Sequence, residues 1–257
     1  MRGNRIRVKR RARRYRWAWW LVMLGLICYG LSLILPAPQS AEEAMPVARA
    51  LSFDALSAYL IELSEHDSAE SARIEAARYV KRGAAGYVLI ESGRHKVIGA
   101  RYLTAEQSQQ VAERLSTSLG ISATPIDLHS EPMRLRITAP PIQIAAFERA
   151  ESRLRPLIDQ LNELAMQLDE KQITIDEAQQ ALGAIHAESI SLHDALMPLD
   201  HPAFAQLAHL LKALTEATSR QMFTQSETAL FFSAKIKYNS ITMRLEHIAF
   251  LEALAAN

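Results

Sequence analysis

Four histidines could do metal chemistry. His186 and His193 stand seven residues apart, on one face of a helix, and His201 and His209 follow. Imidazoles at such spacing can reach one cation, but structural zinc sites want a fuller set of thiolate, imidazole or carboxylate donors. No acidic pattern accompanies these, and ordinary polar positions along a helix explain them as well. Asp169-Glu170 and Asp176-Glu177 raise the paired-carboxylate chemistry of glycoside hydrolysis. They fall where one helix should end and the next begin, places where acids cap or face solvent. No nucleophile elbow, metalloprotease helix, phosphate loop or dinucleotide fingerprint occurs. Nothing implies a cofactor, and no enzyme activity is expected. Tyr59, Tyr87 and Tyr102 lie in three apolar runs. Their rings would suit stacking on sugars over an open sheet, or packing beneath helices; strand parity alone leaves both readings standing.

The elements that would position these groups begin with an anchor. Residues 1–16 hold nine of the 29 Lys and Arg residues and no acid, leaving 20 basic against 28 acidic side chains in the rest of the chain. A body that acidic, with no basic stripe, excludes nucleic acid as the main partner. Residues 17–35, WAWWLVMLGLICYGLSLIL, carry no charge and as a helix would span roughly 28 Å, a bilayer's hydrocarbon thickness. The basic tail places the N-terminus in the cytoplasm and everything after Pro36 outside. The run exceeds an ordinary signal-peptide core, and PAPQSAEE offers no small-x-small cleavage site, so an uncleaved single span is expected. The only cysteine, Cys28, lies inside that span. The exported part therefore has no disulfide framework.

Residues 36–50 read as a linker, 51–140 as an α/β domain and 141–257 as a helical bundle. Strands are expected at 56–63, 86–91, 95–102 and 122–130. The Asp67/Glu70 pair should open a first helix, and Thr104 with Gln107 a second that Gly120 ends. Ser68-Ala69-Glu70 and Thr104-Ala105-Glu106 match at an offset of 36, which points to a duplicated βαβ. The fold class is therefore α+β: a four-stranded antiparallel sheet with both helices on one face and the other face open. Residues 133–139 would add an edge strand. After Pro141 the apolar period becomes 3.6. One stripe runs through Leu154, Leu157, Ile158, Leu161, Leu164, Ala165 and Leu168. A second, after a Thr174/Glu177 capping box, runs through Ala178, Leu182, Ile185, Ser189 and Leu192. Asp200 is a candidate N-cap, and 203–254 reads as one very long helix or two with a bend near 218–226. Phe231, Phe232, Ile236, Ile241, Leu245, Ile248, Phe250 and Leu254 are candidate core. A three- or four-helix bundle is the economical arrangement.

The run His95-Lys96-Val97-Ile98-Gly99-Ala100-Arg101-Tyr102, followed by Leu103-Thr104, resembles the third strand and helix start of the SPOR family. That family has a βαββαβ, ferredoxin-like order and usually sits outside a single bacterial membrane anchor. The resemblance covers about 55–130. The family's first-strand motif, Gln-x-Gly-Ser-Phe, would fall on Glu62-Leu63-Ser64-Glu65-His66, with Glu62 for the glutamine and neither the glycine nor the phenylalanine present. The resemblance implies a non-catalytic envelope protein binding peptidoglycan glycan strands on the open sheet face, in cell division or sporulation. Glu62, Ser64 and Lys96 would meet sugar hydroxyls, and Tyr87 and Tyr102 would stack. Because a carboxylate cannot donate the amide's hydrogen bonds, the alternative is a membrane-anchored adaptor whose SPOR-like domain no longer binds glycan. In either case the helical bundle would meet a protein partner or a second copy.

Overall fold

The computed structural model describes residues 45–257 except 198, 200, 220–222, 224–227 and 257. The basic tail, the expected span at 17–35 and the linker up to residue 44 lie outside the described residues. Among the described residues no helix is long and apolar enough to cross a membrane.

The fold is α+β. Strand β1 (Val47–Phe53) pairs antiparallel with β6 (Met133–Ala139) in a sheet of their own. Between them the chain forms β2 (Ser57–His66), α1 (Ala69–Val80), β3 (Tyr87–Glu91), β4 (Arg94–Tyr102), α2 (Ala105–Leu119) and β5 (Thr124–His129). These four strands make an antiparallel sheet of order β3-β4-β2-β5. Two expectations are corrected here. Residues 133–139 do not extend this sheet, and Val47–Ala50, placed in the linker, form the first half of β1. Leu51, Phe53, Ile137 and Ala139 are buried, so burial of one shared face holds the small sheet in place.

Local signals set most element ends. Thr104 caps α2 by accepting from the Gln107 amide at 3.2 Å, and Gly120 closes it in the left-handed conformation. Helix α1 begins one residue later than expected: Ser68, not Asp67, is its N-cap, taking the Ser71 amide at 3.2 Å. The shift follows from backbone geometry, since Ser68 is the extended residue before the first turn. The β2–β4 register slips on either side of Glu62. Gly99 lies beside that slip, where a Cβ would come within 2.7 Å of Leu63 Cδ1.

Four helices follow: α3 (Pro141–Asp169), α4 (Ile175–Leu196), α5 (Pro202–Ala217) and α6 (Ala229–Ala255). Both stripes read from the sequence are buried in full, and both halves of the Thr174/Glu177 capping box form. Helix α5 takes His201 as its N-cap, whose Nδ1 accepts from the Ala203 amide at 3.2 Å; Asp200 lies outside the described residues. The stretch 203–254 is two helices rather than one. Of the expected core on α6, Phe231 is 39% exposed at the helix start. Helix α6 is buried nearly all round, with Ser233, Asn239, Ser240, Arg244 and His247 among its buried residues. It touches β2, β3, β4 and β6 as well as α3 and α5.

Candidate functional site

The sheet face opposite α1 and α2 is where a sugar-binding surface was expected, and the helical region occupies it. Ala58 and Leu60 of β2 and Ile98 of β4 belong to one continuous core with Ile158, Leu161, Ile236 and Ile241, and Tyr87 and Leu89 of β3 pack on its margin. Water and ligand are excluded from Ala58, Leu60 and Ile98 by apolar contact.

The five residues expected to contact glycan do not form one surface. Lys96, opposite Leu89 on the helix-covered face, is held between two carboxylates. Its Nζ lies 2.6 Å from Glu91 Oε2 and 3.5 Å from Glu62 Oε2. The hydrogen bond to Glu91 is the main reason its pKa rises above the ordinary lysine value. Tyr87 meets the ring of Tyr238 on α6 with centroids 5.3 Å apart, and burial raises its pKa. Ser64 Oγ pairs with His66 Nε2 at 3.1 Å. Tyr102 lies on the other face, against Ile61, Leu63, Ala112 and Leu115 beneath α2, and burial pushes its phenol up to about 12. Tyr59 pairs with Tyr102 across β2 and β4. So only Tyr87 of the three tyrosines faces the bundle.

A polar joint that the sequence reading passed over ties the sheet to the bundle. Arg101 on β4 is 2% exposed, yet each of its three guanidinium nitrogens donates a hydrogen bond. Its Nε donates to Ser240 Oγ at 3.2 Å, Nη1 to Asp159 Oδ1 at 3.0 Å and Nη2 to the Ile158 carbonyl at 3.2 Å. Arg244 on α6 donates to the same Asp159 oxygen. Burial, then the neighbouring Arg244 charge, lowers the Arg101 pKa to about 10, and Asp159 offsets part of that. One turn further along α6, His247 is fully buried with neither ring nitrogen hydrogen-bonded among the described residues. Glu151 Oε1 stands 3.8 Å from its Nε2. Burial lowers the His247 pKa and Glu151 only partly opposes it, so the fold favours the neutral ring. The signal was present as a polar stripe, Ser240, Arg244 and His247 at i, i+4 and i+7 of an otherwise apolar helix. A second joint repeats the design: Asp169 at the end of α3 accepts from Ser233 Oγ at 2.6 Å and from Lys237, whose Nζ also reaches the Gly83 carbonyl at 2.7 Å.

No family model matches the chain, and neither a curated protein nor a solved structure matches it significantly.

Several of the other chemistry-bearing residues have structural partners. His186 Nδ1 meets the Thr215 carbonyl at 3.0 Å, and His193 Nδ1 meets Asp194 Oδ1 at 3.2 Å. Among the described residues no group of three His, Cys, Asp or Glu side chains could hold a metal ion. Asp169 and Glu177 serve the second joint and a helix cap. A cleft of about 580 Å³ beside α4 is lined by Asp176, Gln179, Gln180 and Thr218, and another of about 200 Å³ by Tyr102, Arg114, Asn162 and Lys237. Neither sets a nucleophile against a base. What this arrangement does chemically is hold parts together: charged and hydroxyl groups fix the angle between sheet and bundle, and apolar contact supplies the adhesion.

Proposed function

We propose that this chain is a membrane-anchored, non-catalytic protein-interaction adaptor of the bacterial envelope, in which a SPOR-like, ferredoxin-like βαββαβ unit has become a platform for its own helical bundle. The observation that carries this reading is the burial of Leu60 and Ile98 beneath α3 and α6 on the face a glycan reader would leave open. The engagement of Lys96 by Glu62 and Glu91 supports it further, since sugar hydroxyls would have to displace two carboxylates. Sacculus co-sedimentation of the purified full chain in detergent, before and after amidase removal of stem peptides, tests the proposal. No retention in either case is expected. Retention that rises after amidase treatment and falls in the Tyr87→Ala/Lys96→Ala variant would overturn it in favour of glycan binding.

A further inference from the structure

The four-stranded sheet has two outer strands, and they are protected very differently. β5 carries Pro125, which cannot donate a hydrogen bond, and the charged Asp127. Both strands of the small sheet carry arginines, Arg49 on β1 and Arg134 and Arg136 on β6. Proline and charge are the usual means of keeping outer strands from pairing. β3 reads YVLIE, with no proline or bulge and only its last residue charged.

The hairpin register shows which backbone groups of β3 are unused. Ser92 and Gly93 connect β3 to β4 with φ of 50° and 78°, the positive pair of a two-residue hairpin turn. Such a turn makes Glu91 and Arg94 a hydrogen-bonded pair, and alternation then assigns the inward bonds to Leu89 with Lys96 and Tyr87 with Ile98. The N–H and C=O groups of Val88 and Ile90 therefore point away from the sheet, and neither residue makes a backbone bond elsewhere among the described residues. The Ile90 side chain is 66% exposed. Alongside runs a groove of about 410 Å³ between α1 and β3, lined by Arg73, Ala76, Ala77, Val80, Val88 and Tyr238.

We propose that two copies of this chain associate by antiparallel pairing of their β3 edges about a two-fold axis at Leu89. The strand is its own complement. Val88 of one copy faces Ile90 of the other in a hydrogen-bonded pair, twice, and Leu89 faces Leu89 on the axis. Glu91 faces Tyr87, so no like charges meet. Each exposed Ile90 arrives opposite Val88, at the mouth of the other copy's α1–β3 groove. The pairing would join two four-stranded sheets into one of eight and leave the sheet–bundle joint untouched, so it stands independently of the glycan question.

Site-directed crosslinking of the full chain in detergent tests this, with Cys28→Ser as background. Non-hydrogen-bonded antiparallel partners have Cα atoms about 4.5 Å apart, within disulfide reach, whereas Cα pairs beyond about 7 Å cannot be bridged. Val88 and Ile90 each sit one residue off the axis, which separates equivalent residues by roughly 8 Å. Under mild oxidation Leu89→Cys should give a majority of covalent dimer, and Val88→Cys and Ile90→Cys little. Adding Ile90→Pro, which removes an outward N–H, or Ile90→Lys, whose exposed position tolerates the charge in the monomer, should abolish the Leu89→Cys dimer without changing the circular dichroism spectrum. No dimer from Leu89→Cys, equal dimer from all three positions, or a dimer indifferent to Ile90→Lys would each overturn the proposal.

Discussion

Val97 and Ile98 are neighbours on β4, both fully buried, and they belong to different cores. Val97 packs on Ala72 and Ala76 of α1 in a cluster built from residues close in sequence. Ile98 joins the large core shared with α3, α5 and α6, whose members come from both ends of the described chain. One face of the sheet is covered by its own small-residue helices, the other by a bundle that begins only after the sheet's last strand is complete. The difference teaches where the molecule is held together. Alanine-rich helices bury little area per turn, whereas Leu, Ile and Phe on long helices bury much more. The helical region completes the sheet instead of standing beside it.

The contrast can be broken first at the polar joint. Asp159→Ala leaves the buried Arg101 and Arg244 without their shared carboxylate, and removing one partner of a buried pair costs about 3–5 kcal/mol. Urea unfolding followed by circular dichroism would measure it. A loss below about 1 kcal/mol would mean that the joint behaves like a surface pair.

The two faces are compared directly by Ile98→Ala and Val97→Ala. The first should cost about 3 kcal/mol, because a large core cannot close over the cavity. The second should cost about 2 kcal/mol, near the transfer value of the methyl groups removed. Equal losses in equilibrium unfolding would erase the distinction between the cores. On the helix-local face, Thr104→Ala removes the α2 cap and should cost about 1 kcal/mol in the same assay.

The smallest effect at neutral pH is that of His247, and it emerges in acid. Its pKa is lowered in the fold by burial, so below about pH 6.5 the unfolded chain takes up a proton that the folded chain refuses. Stability is complete above that pH and declines as pH falls toward the folded value. Unfolding curves between pH 7 and pH 5 should show a shallower decline for His247→Leu than for the parent. Parallel declines would remove His247 from the account.

Local elements were legible because their causes are local. The capping residues Thr104 and Thr174, the left-handed Gly120 and the 3.6-residue stripes of α3 and α4 all formed as read. The misreadings share a physical reason. Val47–Ala50 have little strand character of their own, and become β1 because β6, more than 80 residues later, offers hydrogen bonds and a shared apolar face. The residues expected to share one surface were separated for a similar reason. Strand parity could not foresee the register slips around Glu62, so Tyr87 and Tyr102 ended on opposite faces.

The sequence by itself determined the run of strands and helices from β2 to α4, several of their caps, and the buried stripes of α3 and α4, because propensity, capping and periodicity act within a few residues. Only the tertiary structure decided that α3 and α6 would lie on the sheet's second face and that Arg101 would meet Asp159 and Ser240. It also decided that, among the described residues, β3 rather than the proline-bearing β5 would present an outer edge without proline or an internal charge. These outcomes depend on pairing between segments far apart in the chain, where apolar burial selects the partner and no local signal names it.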